Sequence, residues 1–239
     1  MENNNLLPLE VNNLYFVKGK RVLLSNICCK IKSRGITIIL GPNGAGKTLF
    51  LKCLHGLIIF NNSNITYAKM SLNKEIMKQQ SMVFQFPILL RRSVINNLFF
   101  VIKQRKMKIK TDEILKILKK VELLHLVNQN AVSLSGGEKQ RLSLARAIIT
   151  MPKVLFLDEA TSNLDPYSIQ IIEKILKEVK KKGTKVIAVT HDLLQAKRLA
   201  DDIIFINKGK ICEHRSAKLY FKKPLSREGK LFMSGKLIV

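Results

Sequence analysis

The chain has 239 residues, of which 46% are hydrophobic and 25% charged, and lysine plus arginine outnumber aspartate plus glutamate by 42 to 17. This composition excludes a disordered tail, a collagen-like repeat and a disulfide miniprotein. No apolar run approaches the roughly 18 to 20 residues that span a bilayer, and residues 1–5 lack the pattern of a secretory signal. We therefore expect a cytosolic chain that is not itself a membrane pore.

Two further features of the composition, the net charge and the cysteines, identify no ligand. The net charge of +25 would suit nucleic acid or an acidic membrane surface. The lysines are scattered, however, and the densest runs, at 103–110 and 180–182, are typical of solvated loops or helix ends. The four cysteines show no metal-ligand spacing and indicate reduced thiols that fill core positions.

Taken in chain order, the predicted elements alternate between strands and helices. Strands with turns precede residue 36 and recur from Asp202 to Ile211, and continuous apolar strands cover 36–40, 154–157 and 186–190. Residues 90–133 are predicted to form a helical insertion between the first and second of these apolar strands, and another helix starts at Asp165-Pro166 and ends before Gly183. Strands apolar on both faces indicate a parallel sheet covered by helices, the α/β class.

The segment Gly41-Pro42-Asn43-Gly44-Ala45-Gly46-Lys47-Thr48 fits the pattern G-x-x-x-x-G-K-[ST] and lies between a predicted strand and a predicted helix. Glycines let the backbone fold closely around phosphates, so that amide groups and the helix N-terminus face negative charge. Lys47 should reach the β- and γ-phosphates, and the Thr48 hydroxyl should bind Mg²⁺. The sequence therefore predicts a site for a nucleoside triphosphate.

Polar residues follow the next two apolar strands, Asp158-Glu159 after one and His191 after the other. Ligands of doubly wound sheets bind beyond the carboxyl ends of the strands, which places these residues at the same edge as the glycine loop. Asp158 is then positioned to hold Mg²⁺ through water, Glu159 to polarise the attacking water, and His191 to contact the γ-phosphate or orient Glu159. The competing interpretation is that the carboxylates only cap a helix and that His191 is incidental.

The segment Leu134-Ser135-Gly136-Gly137-Glu138 precedes a predicted helix. Ser135 and Glu138 fit a capping box, which is a purely structural signature. Two glycines in a first helical turn are nevertheless unfavourable for helix formation. The two glycines are explained if the backbone must approach another group closely. In addition, the amide groups at the start of a helix favour the binding of an anion.

Together these segments resemble the nucleotide-binding subunit of an ATP-binding cassette (ABC) transporter, from about Leu9 to the end of the sequence. In the family's order, the resemblance lies in the Walker A loop, the glutamine loop, the signature motif, the Walker B strand, the D-loop and the switch histidine. In this sequence the Walker A loop is 41–48, the glutamine loop contains Gln85 in 82–85, and the signature motif is 134–138. The Walker B strand is 154–159, the D-loop is 162–165, and the switch histidine is His191.

The resemblance implies a single ABC ATPase domain of the P-loop NTPase fold, with an N-terminal antiparallel β-subdomain. The core would comprise about 1–89 and 134–239, and a helical subdomain about 90–133. ATP would lie between two head-to-tail copies. The residues expected to bind it are Gly41, Pro42, Asn43, Gly44, Ala45, Gly46, Lys47 and Thr48 of one copy and Ser135, Gly136 and Gly137 of the other. Glu159, His191 and Gln85 would be catalytic, and Thr48, Gln85 and Asp158 would hold Mg²⁺.

Three positions depart from the family pattern. Ala160 stands where the family usually has proline, and Lys18 stands where an aromatic residue usually stacks on adenine, with Tyr15 and Phe16 close by. Residues 61–64 replace a turn that usually contains glycine, and we interpret them as a shortened β-hairpin. The residue that stacks on the base therefore stays open.

The resemblance also suggests a transporter type. In this family the stretch after Gln85 contacts the membrane subunit. Here residues 86–97, together with residues 232–236 near the end, resemble the corresponding segments of importer cassettes for tungstate or phosphate-like oxyanions. The expected partners are a second copy, a separate permease and, indirectly, an extracytoplasmic solute-binding protein, at the cytoplasmic face of the membrane. The alternatives are a cassette for another solute, a regulatory module without hydrolysis, or a non-transport ATPase acting on DNA or ribosomes. No nucleic-acid partner is expected.

Overall fold

The computed structural model of the chain describes residues 5–32, 34–58 and 65–236, which form two sheets and the helices around them. Strands β1 to β10 are Leu9–Lys18, Arg21–Ile31, Ile36–Leu40, Ile65–Tyr67, Met70–Ser71, Gln80–Val83, Val154–Asp158, Lys185–Val189, Asp202–Asn207 and Lys210–Ser216. Helices α1 to α9 are Lys47–His55, Lys74–Lys78, Val94–Gln104, Thr111–Lys120, Gly136–Ile148, Pro166–Lys181, Leu193–Leu199, Ala217–Lys222 and Arg227–Met233.

The larger sheet has six strands in the order β10-β9-β3-β8-β7-β6. All neighbours are parallel except β9 and β10, which are antiparallel. Strands β3, β7 and β8 therefore end at one edge, where Asp158 is in register with Val189. The smaller sheet is antiparallel and has the order β2-β1-β4-β5.

Alternate side chains of the central strands enter two separate apolar cores, as the pleat of a strand requires. In β7, Leu155 and Leu157 pack on the side of α5, α6 and the helices of residues 94–133. Val154 and Phe156 pack on the other side, against α1 and the antiparallel sheet. The large sheet is thus covered on both faces, which explains why its strands are continuous apolar runs.

The structure confirms the predicted α/β class with an antiparallel N-terminal sheet. It also confirms the helix that starts at Asp165, whose carboxylate accepts a hydrogen bond from the Ser168 amide at 2.8 Å, with proline in the first turn. Within the large sheet, one strand was not predicted: β6 lies before the helical insertion, which therefore follows the second core strand and not the first. Gln80 and Ser81 interrupt its apolar character, so β6 does not read as a continuous apolar run.

The division into a core and a helical subdomain stays a prediction, since Val94 and Leu118 of the insertion share one apolar cluster with Ile38 of the large sheet. The interpreted hairpin at 61–64 lies outside the described residues. No helix within the described ranges has the length and apolar character that a membrane crossing requires.

Candidate functional site

The glycine loop of residues 41–46 connects β3 to α1 at the carboxyl edge of the large sheet. Gly41 has a φ of 153°, and a Cβ atom at this position would lie 2.0 Å from the backbone oxygen of Ile206. Only glycine fits so close to another backbone, so the sequence pattern has a steric cause here. The loop opens directly into the first turn of α1, whose amide groups have no intrahelical partners.

Lys47 is almost fully buried within this loop. Its Nζ donates hydrogen bonds to the backbone oxygens of Gly41 and Pro42, both at 2.9 Å. Burial lowers the pKa of Lys47, while the negative charges of Glu159 and Asp158 act in the opposite direction. The loop therefore holds its ammonium group among carbonyl oxygens, at the place where the sequence predicts phosphate oxygens.

Thr48 and Asp158 meet across the loop and the end of β7. The Thr48 hydroxyl donates a hydrogen bond to Oδ1 of Asp158 at 2.6 Å. Burial raises the pKa of Asp158, and the bond from Thr48 and the charge of Lys52 oppose that shift. The structure thus brings together two of the three residues predicted to hold Mg²⁺.

Glu159 and His191 also lie together, at the ends of β7 and β8. Oε2 of Glu159 lies 3.2 Å from Nδ1 of His191 and accepts a hydrogen bond from the Ser162 hydroxyl at 3.1 Å. The Glu159 side chain is 15% exposed and that of His191 53% exposed. Glu159 has a φ of 45°, in the left-handed region, and its amide donates to the backbone oxygen of Val189. Two neighbours therefore contact one oxygen of this carboxylate, Oε2, while part of the side chain stays exposed to water.

The segment Ser135–Gly137 begins α5 and forms the predicted capping box. The Glu138 amide donates to the Ser135 hydroxyl at 3.3 Å, and the Ser135 amide donates to the Glu138 carboxylate at 2.7 Å. That backbone hydrogen bond lowers the pKa of Glu138. Among the described residues, no hydrogen bond or ion pair joins this segment to the glycine loop.

The two glycines of this segment have different surroundings. A Cβ atom on Gly137 would lie 2.2 Å from Oγ of Ser168 and 2.9 Å from Oδ2 of Asp165, at the start of α6. The absence of a side chain at Gly137 therefore has a reason within one chain, the close packing of α5 against α6, and its expected contact with phosphate stays a prediction. A Cβ atom on Gly136 would meet nothing within 4 Å. Only Gly136 leaves its side of the helix open to another molecule.

Gln85 is half-buried and lies in a segment that α5 holds in place. Gln140 donates a hydrogen bond to the backbone oxygen of Phe84 at 2.9 Å, and Arg146 donates to that of Ile88 at 2.7 Å. The structure shows no bond that brings Gln85 to Thr48 or Asp158, so its predicted metal contact stays a prediction.

Sequence reasoning missed Gln140, Arg146 and a third polar residue of α5, Arg141. Arg141 is buried and donates to the backbone oxygen of Val121 at 3.1 Å and to the Ser168 hydroxyl at 2.5 Å. In the sequence, these three residues are recognisable only as polar positions among the apolar residues of a predicted helix. That pattern is the same for a solvated face, so it could not reveal their contacts.

The region where the adenine base is expected lies at the end of β1. Lys18 is exposed and pairs in register with Arg21, whereas Phe16 is opposite Leu24. The side chain of Leu24 and the backbone oxygen of Leu23 approach Gly46, so this part of the antiparallel sheet borders the glycine loop. Tyr15 is 49% exposed. Which of these residues contacts a base stays open.

The cysteines and the other potential metal ligands among the described residues form no second metal centre. The four cysteines are free thiols, and burial raises the pKa of Cys29 and Cys53 to about 12 each. Within the part of the chain that the structure describes, no group of three or more His, Cys, Asp or Glu side chains could hold a metal ion. Only Cys53 is fully buried; Cys29 and Cys212 are partly buried and Cys28 is exposed, so the expectation that the thiols fill core positions is wrong for Cys28.

Comparison with known proteins gives consistent matches. A family model described as ABC transporter matches residues 24–162. The phosphate import ATP-binding protein PstB of Mycoplasmoides gallisepticum is 34% identical, over 98% of this chain and 77% of that protein. The protein of the same name from Campylobacter jejuni is 35% identical over 95% and 98%. The arginine transport ATP-binding protein ArtM of Bacillus subtilis is 31% identical over 94% and 98%.

A solved structure shares the fold. CbiO1 from Clostridium perfringens, part of the ABC transporter complex CbiONQ, superposes with a TM-score of 0.79 at 28% identity. The superposition covers 90% of each chain. The match therefore extends over both sheets and the helices between them.

Proposed function

Because this chain belongs to the ABC transporter family, as an ATP-binding and ATP-hydrolysing subunit, we propose that it powers the import of inorganic phosphate. Two copies would associate head to tail and act on a separate permease at the cytoplasmic face of the membrane. The observation that carries the proposed mechanism is the division of the site. The glycine loop, Asp158, Glu159 and His191 lie together, while the Ser135–Gly137 segment has no bond to them.

In the proposed site, the glycine loop binds the phosphates of ATP. Its backbone amides and the N-terminus of α1 provide positive potential, and Lys47 provides a full charge. The two carbonyl oxygens that accept bonds from Lys47 keep the ammonium in position, so phosphate oxygens can replace them with little movement of the side chain. Binding is then an exchange of partners for Lys47.

Mg²⁺ fits the oxygen groups of Thr48 and Asp158. A hydroxyl and a carboxylate that lie 2.6 Å apart are the hard oxygen donors that this ion prefers, either directly or through water. When bound, the ion neutralises charge on the phosphates. Gln85 is proposed as a third member of this group because it follows β6, a neighbour of β7 in the sheet.

Glu159 is the proposed base. Its carboxylate is held by the Ser162 hydroxyl and faces Nδ1 of His191, at the edge of the sheet where the glycine loop begins. A carboxylate with one open side can accept the proton of a water molecule as that water attacks the γ-phosphate. His191, being half exposed, is then placed to contact the γ-phosphate and to orient Glu159.

The Ser135–Gly137 segment is proposed to complete the site of a second copy. Ser135 and Gly136 are exposed, and the amides at this helix start favour an anion. In a head-to-tail dimer each segment faces the nucleotide bound by the other chain. Hydrolysis then requires two chains, which links the ATPase cycle to opening and closing of the dimer.

The surface beyond Gln85 is proposed to receive the permease. Phe86 is 73% exposed and Ile88 82% exposed, so two large apolar side chains face solvent next to Arg91 and Arg92. The backbone of the same segment is bonded to Gln140 and Arg146 of α5. A displacement of this surface would therefore move the helix that starts at Ser135.

Phosphate is proposed as the solute because two relatives at 34% and 35% identity are phosphate import proteins. An arginine transporter subunit at 31% identity makes a cationic amino acid the second candidate. The cassette itself does not select the solute, so the choice depends on the permease and the extracytoplasmic binding protein.

Affinity purification of the chain from its native membranes, followed by mass spectrometry, tests this proposal. We expect a permease and a phosphate-binding protein to accompany it, and phosphate to stimulate the ATPase activity of the purified assembly. Stimulation by arginine and not by phosphate would select the second candidate. Recovery of ribosomal or DNA-repair proteins without a permease would contradict the transport function.

Substitution of both Arg91 and Arg92 by alanine refines the same experiment. We expect it to remove the phosphate-dependent stimulation while basal ATPase activity stays largely unchanged, because both side chains are exposed and neither is bonded to the glycine loop. Substitution of Lys119 and Lys177, exposed on α4 and α6, is the matched control.

A further inference from the structure

A second concave site lies at the edge of the large sheet opposite the glycine loop. It is a cleft of about 920 Å³ bounded by α4, the end of α5, the C-terminal part of α6 and the turns that precede β7 and β8. This volume is in the range of small-molecule binding sites. Of the motifs of the nucleotide site, only the Walker B strand contributes to it, through Leu155 at the opposite end from Asp158 and Glu159.

The floor and walls of the cleft are apolar. Ile149, Leu155 and Ile175 form the buried floor, and the half-buried Ile117 and Val179 form facing walls on α4 and α6. Met151 lies at the mouth and is 74% exposed. An aliphatic chain placed here would be removed from water, which stabilises binding in proportion to the apolar area covered.

The rim of the cleft is positively charged. Among the described residues that line it, five are lysines and two are glutamates. One of these lysines forms an ion pair across the cleft: Nζ of Lys120 on α4 lies 3.0 Å from Oε2 of Glu178 on α6. Lys116 is one helical turn from Lys120, and Lys182 is one turn from Glu178, so both lie on the helix faces that border the cleft. They bring two further positive charges to it.

From this combination we propose that the cleft binds a medium-chain fatty acid. The alkyl chain would lie along Ile117, Val179 and the buried floor, and the carboxylate would lie at the rim between Lys116 and Lys182. A purely apolar molecule would leave the lysines unused, and a small anion would leave the floor uncovered. Only a molecule with one anionic end and an apolar body matches both properties. This inference does not depend on phosphate import or on the nucleotide site.

The test uses the full chain without nucleotide, and laurate kept below its micelle concentration as the probe. The chain contains no tryptophan, so Met151→Trp places a single fluorophore at the mouth of the cleft. We expect saturable quenching or a blue shift with laurate. Dodecyltrimethylammonium has the same tail and the opposite charge, and acetate has the head group alone; both should bind at least about tenfold more weakly.

Charge-reversal variants distinguish laurate binding in the cleft from non-specific attraction of laurate to the positive charge of the whole chain. Lys116→Glu with Lys182→Glu should weaken laurate binding at least about tenfold. Lys119→Glu with Lys177→Glu makes the same charge change on exposed positions of the same helices, outside the cleft, and should leave binding unchanged.

Calorimetry with the unlabelled chain repeats the measurement without the reporter substitution. Absence of saturable laurate binding, equal affinity for the cationic detergent, or equal losses in the two double variants would each overturn the proposal.

Discussion

The glycine loop and the start of α5 are both proposed parts of the nucleotide site, and they differ in how far the chain itself bonds their polar groups. Around the loop, the polar groups of Lys47, Thr48 and Asp158 already hydrogen-bond within the chain. At the start of α5, Ser135 and Gly136 face outward. The side-chain hydrogen bonds there are those of the capping box that includes Ser135. The first region is assembled by folding alone, whereas the second, in the proposed mechanism, functions only against a second copy.

Glu159→Gln tests the chemistry of the assembled region and should have the largest effect. The amide keeps the size of the side chain and removes the base, so we expect ATP hydrolysis to slow by about 10²- to 10⁴-fold. ATP should still bind, and an ATP-bound dimer should accumulate in size-exclusion chromatography. Glu75→Gln, on the exposed side of α2, is the control. Near-normal turnover would remove Glu159 from the role of base.

Lys47→Ala tests binding in the same region. Hydrogen bonds to charged groups contribute about 1.5–3 kcal/mol each, so loss of the ammonium should weaken ATP binding by roughly 100-fold or more. Equilibrium binding of a fluorescent ATP analogue measures this, and Lys177→Ala is the control for a lost surface charge. An unchanged dissociation constant would mean that the loop does not hold the phosphates.

Gly136→Arg tests the outward-facing region. Because nothing lies within 4 Å of an added Cβ atom, the substitution should leave folding and ATP binding by the monomer unchanged. The arginine side chain should block the approach of a second copy and abolish the ATP-dependent dimer, most visibly in the Glu159→Gln background. A dimer that still forms would show that this segment does not face the partner.

Gly137→Ala, one residue later, should give the opposite result. Its new methyl group would overlap Oγ of Ser168, so we expect a loss of about 1–3 kcal/mol in the free energy of unfolding. Denaturant unfolding measures the loss, and addition of Ser168→Gly should recover part of it by removing the hydroxyl. Equal stability of Gly136→Ala and Gly137→Ala would contradict the packing that the structure shows.

The assembled region could be predicted from the sequence to a large extent, because its residues follow strands whose apolar runs are unmistakable. Once β3, β7 and β8 are parallel, Lys47, Asp158 and His191 must share one edge. The reason for Gly137 could not be predicted, because it depends on how closely α5 approaches α6. Strand β6 was missed for a related reason, since Gln80 and Ser81 are polar but their backbone pairs with β7, a long-range contact that leaves no local pattern.

The contacts of α5 were equally hidden from the sequence. Gln140, Arg141 and Arg146 donate to backbone oxygens far along the chain, and such pairs leave no local pattern. A buried arginine is recognised only when its partners are known. The family resemblance identified the family, but it did not indicate how the helix that follows Ser135 is connected to the segment after Gln85.

The backbone conformation of Glu159 affects the thermal stability of the protein. A left-handed φ of 45° costs a residue with a side chain about 1–2 kcal/mol, and glycine or asparagine tolerates it better. Either replacement would relax the turn after β7 and raise the melting temperature, and either would remove the carboxylate. A search for heat-resistant variants that does not also measure ATP hydrolysis should therefore select inactive proteins at this position.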